Sequence, residues 1–455
     1  MELKGKKIVV VGAGLSGLAV CRYAVEQGAQ VVLSDRRSAA QIDVSTLDSV
    51  VVADFGQHTA SLFTAADLIV ISPGVPLTIA PLIAAQCVGV PIIGEIELAT
   101  RQLHPQTCMM AITGTNGKST TTELLGAMLA RCGKQVFVGG NLGMPLISAV
   151  DNKDDYAVVE LSSFQLETVD QFRPRYAALL NLSVDHLDRY PDMTSYMEAK
   201  RAIFANQGVS DVAILNADDA EVLRLAKSAR GRKVLFSSTR VLECGMSYHH
   251  GLIEWRGYGA DITLDAGQLQ LSGVHNIENV MAALIPALLE GLDPAALWQA
   301  ACAFTGLAHR MVLVRQLDGV RWYNDSKGTN PGSVIKSVTS LATPDAPVTL
   351  IAGGKDKGGD YRDMSGCLRG LVAQFILIGE AAQSMEQAWC DLAPIQRVAT
   401  MEQAVQLARQ ITPEGGSVLL SPGCSSFDMF RSFEHRGEVF SAAVMALQAN
   451  GGSDI

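Results

Sequence analysis

Short apolar runs rich in β-branched residues recur along the chain, and segments of helical length separate them. This spacing predicts βαβ units on mainly parallel sheets, and so many strands predict three sheets rather than one. The predicted fold class is therefore α/β. The predicted strands cover residues 8–11, 31–34, 68–72, 109–113, 157–161, 178–181, 212–215, 348–352, 375–378 and 418–421.

The pattern changes at two places along the chain, and these changes predict three domains. A glycine-rich motif at Thr113 opens a new series, so residues 95–105 before it are expected to form a linker. Another series of strands and loops starts at Val320, after the helix-like residues 279–290. Between residues 240 and 275, short polar and apolar alternations with glycines predict antiparallel strands attached to the central domain. The expected domains cover residues 1–96, 97–307 and 308–455.

Composition and charge exclude several classes of protein. The formal net charge is −10 and the 36 basic residues are scattered, which argues against binding to nucleic acid or anionic lipid. No stretch reaches the roughly 18 uninterrupted apolar residues of a membrane span, and Gly12, Gly14 and Gly17 interrupt a start that resembles a signal peptide. The nine cysteines include no CxxC pair, which argues against disulfides and structural zinc. We therefore expect a soluble, cytoplasmic protein without membrane insertion.

The first glycine-rich motif, Gly12 to Gly17, follows the first predicted strand and precedes a helix, and Asp35 follows the second strand. This is the dinucleotide-binding fingerprint, in which glycines let the backbone approach a pyrophosphate and the later acid binds a ribose hydroxyl. The motif alone fits NAD or FAD, another nucleotide on a Rossmann-like domain, or a structural turn without a ligand.

The second glycine-rich motif, TGTNGKST at residues 113–120, follows an apolar strand and opens a helix. Backbone N–H groups and the helix dipole at such a turn hold phosphate oxygens. Lys118 would neutralise the β and γ phosphates of a nucleotide, and the Ser119 hydroxyl could bind Mg²⁺. The spacing departs from the general phosphate loop, because only two residues separate Gly114 from Gly117. An accidental glycine turn is the alternative, and the Gly-Lys-Ser sequence between strand and helix argues against it.

This motif resembles the ATP loop of the Mur ligases and folylpolyglutamate synthases. Further stretches similar to that family follow in order over nearly the whole chain. They are Glu160 within VELSSFQ, NLSVDHLD at 181–188, Lys200, HNIEN at 275–279, His309 with Arg310, NDSK at 324–327 and GGKD at 353–356. The resemblance implies a Rossmann-like N-terminal domain for a uridine nucleotide, a central P-loop-type ATPase domain with a mainly parallel sheet, and a C-terminal Rossmann-like α/β domain for an incoming amino acid.

Within the Mur ligases, three stretches resemble the branch that adds D-glutamate. They are NDSKGTNP at residues 324–331, KDKG at 355–358 and SPGCSSFD at 421–428. Gly328 and Gly423 stand where alanine is expected more often, but neither change removes a side chain assigned to chemistry. The chain has no Asp-Asn-Pro-Arg stretch like that of the diaminopimelate-adding branch. Another Mur ligase, which accepts a different amino acid, is the nearest alternative.

The resemblance implies an ATP-dependent ligase of bacterial peptidoglycan synthesis. ATP would phosphorylate the carboxylate of UDP-N-acetylmuramoyl-L-alanine, and the amine of D-glutamate would displace phosphate from the acyl phosphate. Transfer between two anions requires neutralisation of charge more than a protein nucleophile, so Mg²⁺ and lysine are expected to carry most of the catalysis. Two Mg²⁺ ions, a monomeric protein and a bacterial cytoplasmic location are expected.

By the same resemblance, the catalytic residues are Lys118, Glu160, His186 and Lys200. Ser119, Glu160 and His186 would hold Mg²⁺. The matching family lysine is carbamylated by CO₂, which implies that Lys200 becomes a carbamate that binds or orients a metal ion. On sequence grounds alone, Glu160 could be a helix N-cap or an ion-pair partner, His186 a loop histidine and Lys200 an exposed helix lysine.

The resemblance also assigns residues to the three ligands. Those expected at ATP are Gly114, Thr115, Asn116, Gly117, Lys118, Ser119, Thr120, Asn276, Asn279, Arg310 and Asp325. Those expected at the uridine nucleotide are Leu15, Ser16, Asp35, Arg37, Gly74, Asn141 and His186. Those expected at D-glutamate are Thr329, Lys355, Ser426 and Phe433. The alternatives are helix capping for Asn276 and Asn279, a surface position for Lys355 and a core position for Phe433.

Two other classes of function compete with a ligase. A nicotinamide or flavin oxidoreductase would explain the first forty residues but leaves the phosphate loop and the series Glu160, His186 and Lys200 without purpose. A non-enzymatic ATP-binding regulator would explain the loop but not a separate uridine nucleotide pocket.

Overall fold

The structure, a computed structural model, describes residues 1–42, 48–185, 189–356 and 361–448. These residues form three β-sheets with helices between the strands, which confirms the predicted α/β class. The chain divides into two compact units. The first comprises residues 1–182, 196–270 and 276–304 and holds two sheets; the second comprises 183–195, 271–275 and 305–455 and holds the third. No helix within the described ranges is long and apolar enough to cross a membrane.

The first sheet consists of short parallel strands with a helix after most of them. Its elements are β1 Lys7–Val11, α1 Leu15–Glu26, β2 Gln30–Asp35, β3 Val52–Phe55, α2 Ala60–Thr64, β4 Leu68–Ile71, α3 Ala80–Cys87, β5 Ile92–Gly94 and α4 Glu95–Thr100. The strand order is β3-β2-β1-β4-β5, and all pairs are parallel. Because the order reverses between β1 and β4, their carboxyl ends form the switch point at which such sheets bind ligands.

The second sheet is the largest. Its elements are β6 Cys108–Thr113, α5 Lys118–Arg131, β7 Val136–Gly140, β8 Tyr156–Glu160, α6 Ser163–Leu166, β9 Tyr176–Leu179, α7 Met193–Arg201, β10 Val212–Asn216, α8 Ala220–Leu225, β11 Arg232–Ser237, β12 Gly245–His249, β13 Leu252–Arg256, β14 Ile262–Asp265, α9 Val274–Leu289 and α10 Pro294–Ala303. The strand order is β14-β13-β12-β11-β10-β9-β6-β8-β7. Only β12, β13 and β14 pair antiparallel, as predicted for residues 240–275.

Strand β6 lies between β8 and β9 and is buried from Met109 to Thr113. A strand buried on both faces is apolar along its length, which is why this run lacks polar alternation. The glycine-rich loop after β6 therefore starts from an interior strand of the sheet.

Two carboxylates of α4 fasten the first sheet to the second. Glu97 accepts hydrogen bonds from the backbone N–H groups of residues 170–172 at 2.8 to 3.1 Å and pairs with Arg101 at 2.6 Å. Glu95 accepts a bond from the N–H of Ile147 at 2.7 Å. Both carboxylates are buried. The segment expected to be a linker therefore begins as a helix that is anchored at both acidic side chains.

The third sheet belongs to the second unit. Its elements are β15 Val312–Leu317, β16 Val320–Asn324, α11 Pro331–Leu341, β17 Val348–Gly353, α12 Ser365–Leu368, β18 Val372–Ile378, α13 Ala382–Trp389, β19 Ile395–Arg397, α14 Met401–Ile411, β20 Ser417–Leu420 and α15 Phe433–Met445. The order is β15-β16-β20-β17-β18-β19, and only β15 runs antiparallel to its neighbour. The loops after β16, β20 and β17 therefore leave the same edge of the sheet side by side.

Candidate active site

The first glycine-rich loop joins β1 to α1 at the switch point of the first sheet. Gly12 has a φ of +97°, and a Cβ there would lie 2.9 Å from the side chain of Ser72, just after β4. A Cβ on Gly17 would lie 1.9 Å from the carbonyl oxygen of Gly12. Both glycines are therefore required by close packing of the turn.

The residues expected at the uridine nucleotide surround this edge: Leu15 and Ser16 begin α1, Asp35 ends β2, Arg37 follows it and Gly74 lies in the turn after β4. Asp35 is buried and accepts bonds from the N–H of Ala13 at 2.7 Å and from three nitrogens of Arg37 at 2.8 to 3.0 Å. Burial alone would raise the pKa of Asp35, but these bonds outweigh it and lower the pKa to about 2. The Arg37 side chain remains 44% exposed, so the accessible charge here is a cation.

Both glycines of the phosphate loop between β6 and α5 adopt backbone conformations that favour glycine. Gly114 has a φ of +153° and Gly117 a φ of +86°. A Cβ on Gly117 would also lie 2.2 Å from Oδ1 of Asn279. Asn181, just after β9, holds the loop through two hydrogen bonds to Asn116. Its Oδ1 accepts a bond from the Asn116 N–H at 2.8 Å, and its Nδ2 donates to the Asn116 carbonyl at 3.0 Å.

Two lysines direct their ammonium groups at carbonyl oxygens of the phosphate loop. Lys118 Nζ donates to Gly114 at 3.0 Å and to Thr115 at 2.9 Å. Lys200 Nζ donates to Gly114 at 3.0 Å and lies 4.8 Å from the ring centre of Tyr196. Lys200 is only 2% exposed, so the alternative of an exposed helix lysine is wrong. The last turn of α7 thus packs this lysine against the loop.

Glu160 ends β8, beside the strand that leads into the phosphate loop. It is 2% exposed, and its Oε1 accepts a bond from Nδ2 of Asn141 at 2.7 Å. Its Oε2 is buried and has no hydrogen-bond partner among the described residues. Ser162, not Glu160, caps the following helix, so the capping alternative is wrong. A buried carboxylate oxygen without a partner is costly unless a cation compensates it.

The remaining oxygens near the loop come from hydroxyl groups. Ser119 and Thr120 are buried in the first turn of α5, and the Thr120 hydroxyl has no partner in the described part of the chain. Within that part, no three His, Cys, Asp or Glu side chains form a group that could hold a metal ion. His186, expected at the metal, lies outside the described residues. Carboxylate and hydroxyl oxygens such as those of Glu160 and Ser119 are the kind of donor that Mg²⁺ prefers.

The two asparagines of α9 lie inside the helix rather than before it. Asn279 is buried; its Oδ1 accepts from Oγ1 of Thr121 at 3.3 Å, and its Nδ2 donates to Oδ1 of Asn276 at 3.2 Å. Because α9 begins at Val274, neither residue caps it. Asn279 instead links α9 to α5, directly behind the phosphate loop.

In the second unit, Asp325 follows β16 and is buried. Its Oδ2 accepts bonds from the hydroxyls of Ser337 at 2.6 Å and Ser421 at 2.7 Å. Burial raises the pKa of Asp325, although the charge of Arg310 acts in the opposite direction. A Cβ on Gly328 would lie 2.6 Å from the same Oδ2, which accounts for glycine where alanine was expected.

The four residues expected at D-glutamate come from neighbouring loops of the third sheet: Thr329 after β16, Lys355 after β17, Ser426 after β20 and Phe433 at the start of α15. Lys355 donates its N–H to the carbonyl of Ser425 at 2.9 Å, so two of these loops are paired. Lys355 is exposed, Ser426 is buried and Phe433 is only partly buried. Phe433 is therefore not a core residue.

Arg436 is hydrogen-bonded to two of these loops, and no sequence pattern indicated this role. Its side chain is fully buried, and its nitrogens donate to the hydroxyl and carbonyl of Ser326 and to the carbonyls of Cys424 and Ser425 at 2.8 to 3.2 Å. Burial lowers its pKa to about 10, so it stays charged at neutral pH. In the sequence, Arg436 is one basic residue within a helix-length segment, and nothing in the pattern distinguishes it from a surface arginine.

A phosphate loop after an interior strand of a mainly parallel sheet, with a buried acid on the adjoining strand, defines a nucleoside-triphosphate-binding α/β protein. Three family models match this chain: the Mur ligase MurD-like N-terminal domain at residues 6–94, the Mur ligase middle domain at 112–287 and the Mur ligase glutamate ligase domain at 309–424. The chain belongs to the Mur ligase family.

Relatives extend this likeness over the whole chain. A UDP-N-acetylmuramoylalanine--D-glutamate ligase of Syntrophotalea carbinolica is 54% identical over 453 residues, which covers 99% of this chain and 100% of the relative. A protein of the same name from Geotalea daltonii is 46% identical, covering 98% and 99%.

Solved structures show the same fold. MurF ligase from Thermotoga maritima in complex with ADP superimposes with a TM-score of 0.62 at 16% identity, covering 97% of this chain and 95% of that one. UDP-N-acetylmuramate-alanine ligase MurC from the same organism gives a TM-score of 0.60 at 18% identity, covering 97% and 99%.

Proposed function

We propose that this chain is an ATP-dependent amide ligase that adds D-glutamate to UDP-N-acetylmuramoyl-L-alanine in bacterial peptidoglycan synthesis. The products would be UDP-N-acetylmuramoyl-L-alanyl-D-glutamate, ADP and phosphate. The observation that carries the proposal is 54% identity, along the whole of both chains, with a relative named for this reaction. The phosphate loop supports the chemistry, as does the Glu160 oxygen that lacks a partner among the described residues.

The first step would form an acyl phosphate. A carboxylate oxygen of the uridine nucleotide attacks the γ-phosphorus of ATP, the bond to the β-phosphate oxygen breaks, and ADP leaves. Both reactants are anions, so catalysis requires charge neutralisation and alignment. Lys118 suits this role because its ammonium lies over the loop carbonyls of Gly114 and Thr115. Backbone N–H groups at the start of α5 add partial positive charge.

The second step would form the amide. The amine of D-glutamate attacks the acyl carbon, the carbon–oxygen bond to phosphate breaks, and the amine releases a proton. We assign Thr329, Lys355, Ser426 and Phe433 to this substrate. Lys355 supports the assignment because its exposed ammonium can pair with a substrate carboxylate.

We assign a Mg²⁺ ion to Ser119 and Glu160, which offer hard oxygen ligands. When bound, the ion would neutralise charge on the transferring phosphate. His186 and Lys200 are assigned to a second ion. An ammonium cannot ligate a metal, so we propose that the neutral Lys200 amine forms a nitrogen–carbon bond to CO₂ and loses a proton to become a carbamate. The burial of Lys200 against the carbonyl of Gly114 supports a role at the loop.

The other binding assignments follow the domains proposed at residues 1–96, 97–307 and 308–455. The uridine nucleotide is assigned to Leu15, Ser16, Asp35, Arg37 and Gly74, with Asn141 and His186 at the rest of that substrate. Asp35 would act by holding Arg37, whose exposed guanidinium suits a phosphate. ATP is assigned to residues 114–120, Asn276, Asn279, Arg310 and Asp325. We further propose that the protein acts as a cytoplasmic monomer.

Phosphate release from ATP tests the function. The protein is supplied with Mg²⁺, ATP and UDP-N-acetylmuramoyl-L-alanine, and D-glutamate, L-glutamate, L-alanine or diaminopimelate is added separately. We expect phosphate release and a uridine-nucleotide dipeptide with D-glutamate only. Turnover with another amino acid would replace the assigned substrate, and no turnover with any of them would refute the ligase proposal. Lys118→Met should abolish release, whereas Lys153→Met, which changes an exposed lysine, should not.

A further inference from the structure

Tyr361 joins two loops of the third sheet through its hydroxyl group. This hydroxyl donates to Oδ1 of Asp356 at 2.8 Å and lies 3.1 Å from Sγ of Cys424. Asp356 directly follows Lys355, and Cys424 stands two positions before Ser426. One side chain therefore bridges the segments that carry two of the residues assigned to D-glutamate.

The ring of Tyr361 is fixed on its other side, so the hydroxyl has a defined position. Tyr361 is 4% exposed, and Nε1 of Trp389 donates to its carbonyl at 3.0 Å. The two rings meet edge to face at 6.2 Å, and Phe375 stacks on Trp389 at 5.0 Å. Because these contacts hold the ring in place, a shift of either loop would break the contact of that loop with the Tyr361 hydroxyl.

The Tyr361 hydroxyl is protonated and can act as a donor. Burial, followed by the proximity of Cys424 and Asp356, raises its pKa above the ordinary value for tyrosine. A hydroxyl that donates to an ionised carboxylate forms a stronger bond than one between neutral groups. The backbone bond from Lys355 to Ser425 joins the same two loops at a second point.

We propose that Tyr361 is a positioning residue for the incoming amino acid. Its hydroxyl holds the segments 354–356 and 424–426 at the spacing in which Lys355 and Ser426 reach one dicarboxylate substrate together. Tyr361 itself has no contact with the substrate in this assignment. The inference rests on the proposed function, in which this region binds D-glutamate. Binding groups lose affinity when their relative position loosens, even if each group is intact.

The variant Tyr361→Phe tests this role because it keeps the ring and removes only the hydroxyl. We expect the KM for D-glutamate to rise about tenfold, the effect of losing a hydrogen bond to a charged group. The KM for ATP, the KM for the uridine nucleotide and kcat should each change less than about twofold on the same grounds. Steady-state kinetics with each substrate varied in turn measure this split.

Tyr176→Phe is the matched control. Tyr176 is 3% exposed and its hydroxyl donates to Glu290 at 2.6 Å, in the other unit of the chain. This variant loses an equivalent buried bond and should keep the wild-type KM for D-glutamate. Asp356→Asn weakens the same hydrogen bond by changing its half-buried acceptor. This second variant tests the inference even if Tyr361→Phe does not fold. It should raise the same KM by a smaller factor.

The experiment distinguishes failure of the Tyr361 positioning role from failure of the proposed ligase function. An unchanged KM for D-glutamate in both Tyr361→Phe and Asp356→Asn would overturn the positioning role. An equal rise in the KM for ATP would also overturn it, because a general loss of structure would then explain the result. Absence of D-glutamate turnover by the wild-type protein would instead refute the proposed function.

Discussion

The Oε2 atom of Glu160 is buried and has no partner in the described part of the chain, whereas its Oε1 atom is held by Asn141. Leaving a buried acceptor unsatisfied costs about 1–3 kcal/mol, and more when the group is charged. The unpartnered oxygen therefore lowers the stability of the protein alone, and a cation bound there would offset that cost.

Glu160→Gln should separate these two effects. The amide keeps the shape and an acceptor for Asn141 but removes the charge, so the Mg²⁺ concentration for half-maximal phosphate release should rise at least about tenfold. Without Mg²⁺, the melting temperature should stay equal or increase, because an uncompensated buried charge has been removed. Glu221→Gln, at an ion pair that is about half exposed, is the control and should change neither quantity. A lower melting temperature with an unchanged Mg²⁺ requirement would show that Glu160 is structural.

Lys200→Arg tests the carbamate. Arginine keeps a positive charge near the carbonyl of Gly114 but cannot add CO₂, so phosphate release should fall by about a hundredfold or more. In ¹³CO₂-equilibrated buffer, the wild-type protein should show a carbamate carbon signal by NMR, and the variant should lack it. A wild-type protein without this signal, with activity that is insensitive to removal of CO₂, would contradict the carbamate.

At the level of elements, the phosphate loop depends on a helix that comes much later in the chain. Gly117 adopts a left-handed conformation, and Asn279 of α9 occupies the space where a Cβ would lie. Gly117→Ala should therefore suffer both backbone strain and a clash. Gly133→Ala is a matched control, since Gly133 has a φ of +74° and no atom of the described residues lies within 4 Å of the position that an added methyl group would take.

We expect Gly133→Ala to lower stability by about 1 kcal/mol, from backbone strain alone. Gly117→Ala should lose roughly 1–3 kcal/mol more, because the added methyl group overpacks the contact with Asn279. Its KM for ATP should also rise, whereas that of Gly133→Ala should not. Thermal melts and ATP titrations measure both effects. Equal losses in the two variants would mean that Asn279 moves aside without cost.

Arg436 connects α15 to the loops after β16 and β20. Lys cannot replace its planar set of donors, so Arg436→Lys should leave carbonyls of Ser326 and Cys424 without partners. We expect a loss of roughly 3 kcal/mol of stability, measured as a lower midpoint of urea denaturation. Arg431→Lys changes an exposed arginine five positions earlier and should leave the midpoint unchanged. A wild-type midpoint for Arg436→Lys would show that water satisfies these carbonyls.

Strand positions could be predicted from sequence because buried parallel strands produce continuous apolar runs. All ten predicted strands lie on observed strands with ends that differ by at most three residues. Two of the strands that were not predicted, Val52–Phe55 and Ile395–Arg397, lie at sheet edges and are partly exposed. Their conformation depends on a neighbouring strand rather than on their own pattern.

Within the candidate site, the sequence indicated the residues that have a local pattern and not those whose role depends on distant parts of the chain. The glycine loops carry a local signal, because their turns require particular residues at fixed spacing. Arg436 and Tyr361 carry none, since their roles arise from loops that are distant in sequence. The burial of Lys200 was also hidden, because the polar pattern around it resembles a solvated helix face. Long-range packing, not local propensity, decides all three.

We expect the stability of the whole molecule to depend on pH through two acids of α4 that lie two positions apart. Burial raises the pKa of Glu95 to about 7, and the bonds from the backbone N–H groups of Ile147 and Leu146 only partly oppose this. Burial also acts to raise the pKa of Glu97, but bonds from the backbone of Asp170 and Gln171 and from Arg101 outweigh it, and the pKa is lowered. The two side chains should therefore respond to pH with opposite signs.

For Glu95, the folded state holds the proton more tightly than the unfolded state. Its stabilising contribution is complete below the unfolded pKa of about 4.5 and is lost as pH rises to about 7, a change of roughly 3 kcal/mol. Glu95→Gln mimics the protonated form, so its melting temperature should match the wild type at about pH 4 and exceed it at about pH 8. Glu97→Gln should have the opposite effect. The ionised carboxylate of Glu97 stabilises the folded state above the unfolded pKa, and glutamine removes that charge. This variant should melt below the wild type at pH 8, and the deficit should shrink as pH falls through the lowered pKa of Glu97. Differential scanning calorimetry across this range measures both differences, and two variants with the same sign at pH 8 would contradict the opposite pKa shifts of these neighbouring acids.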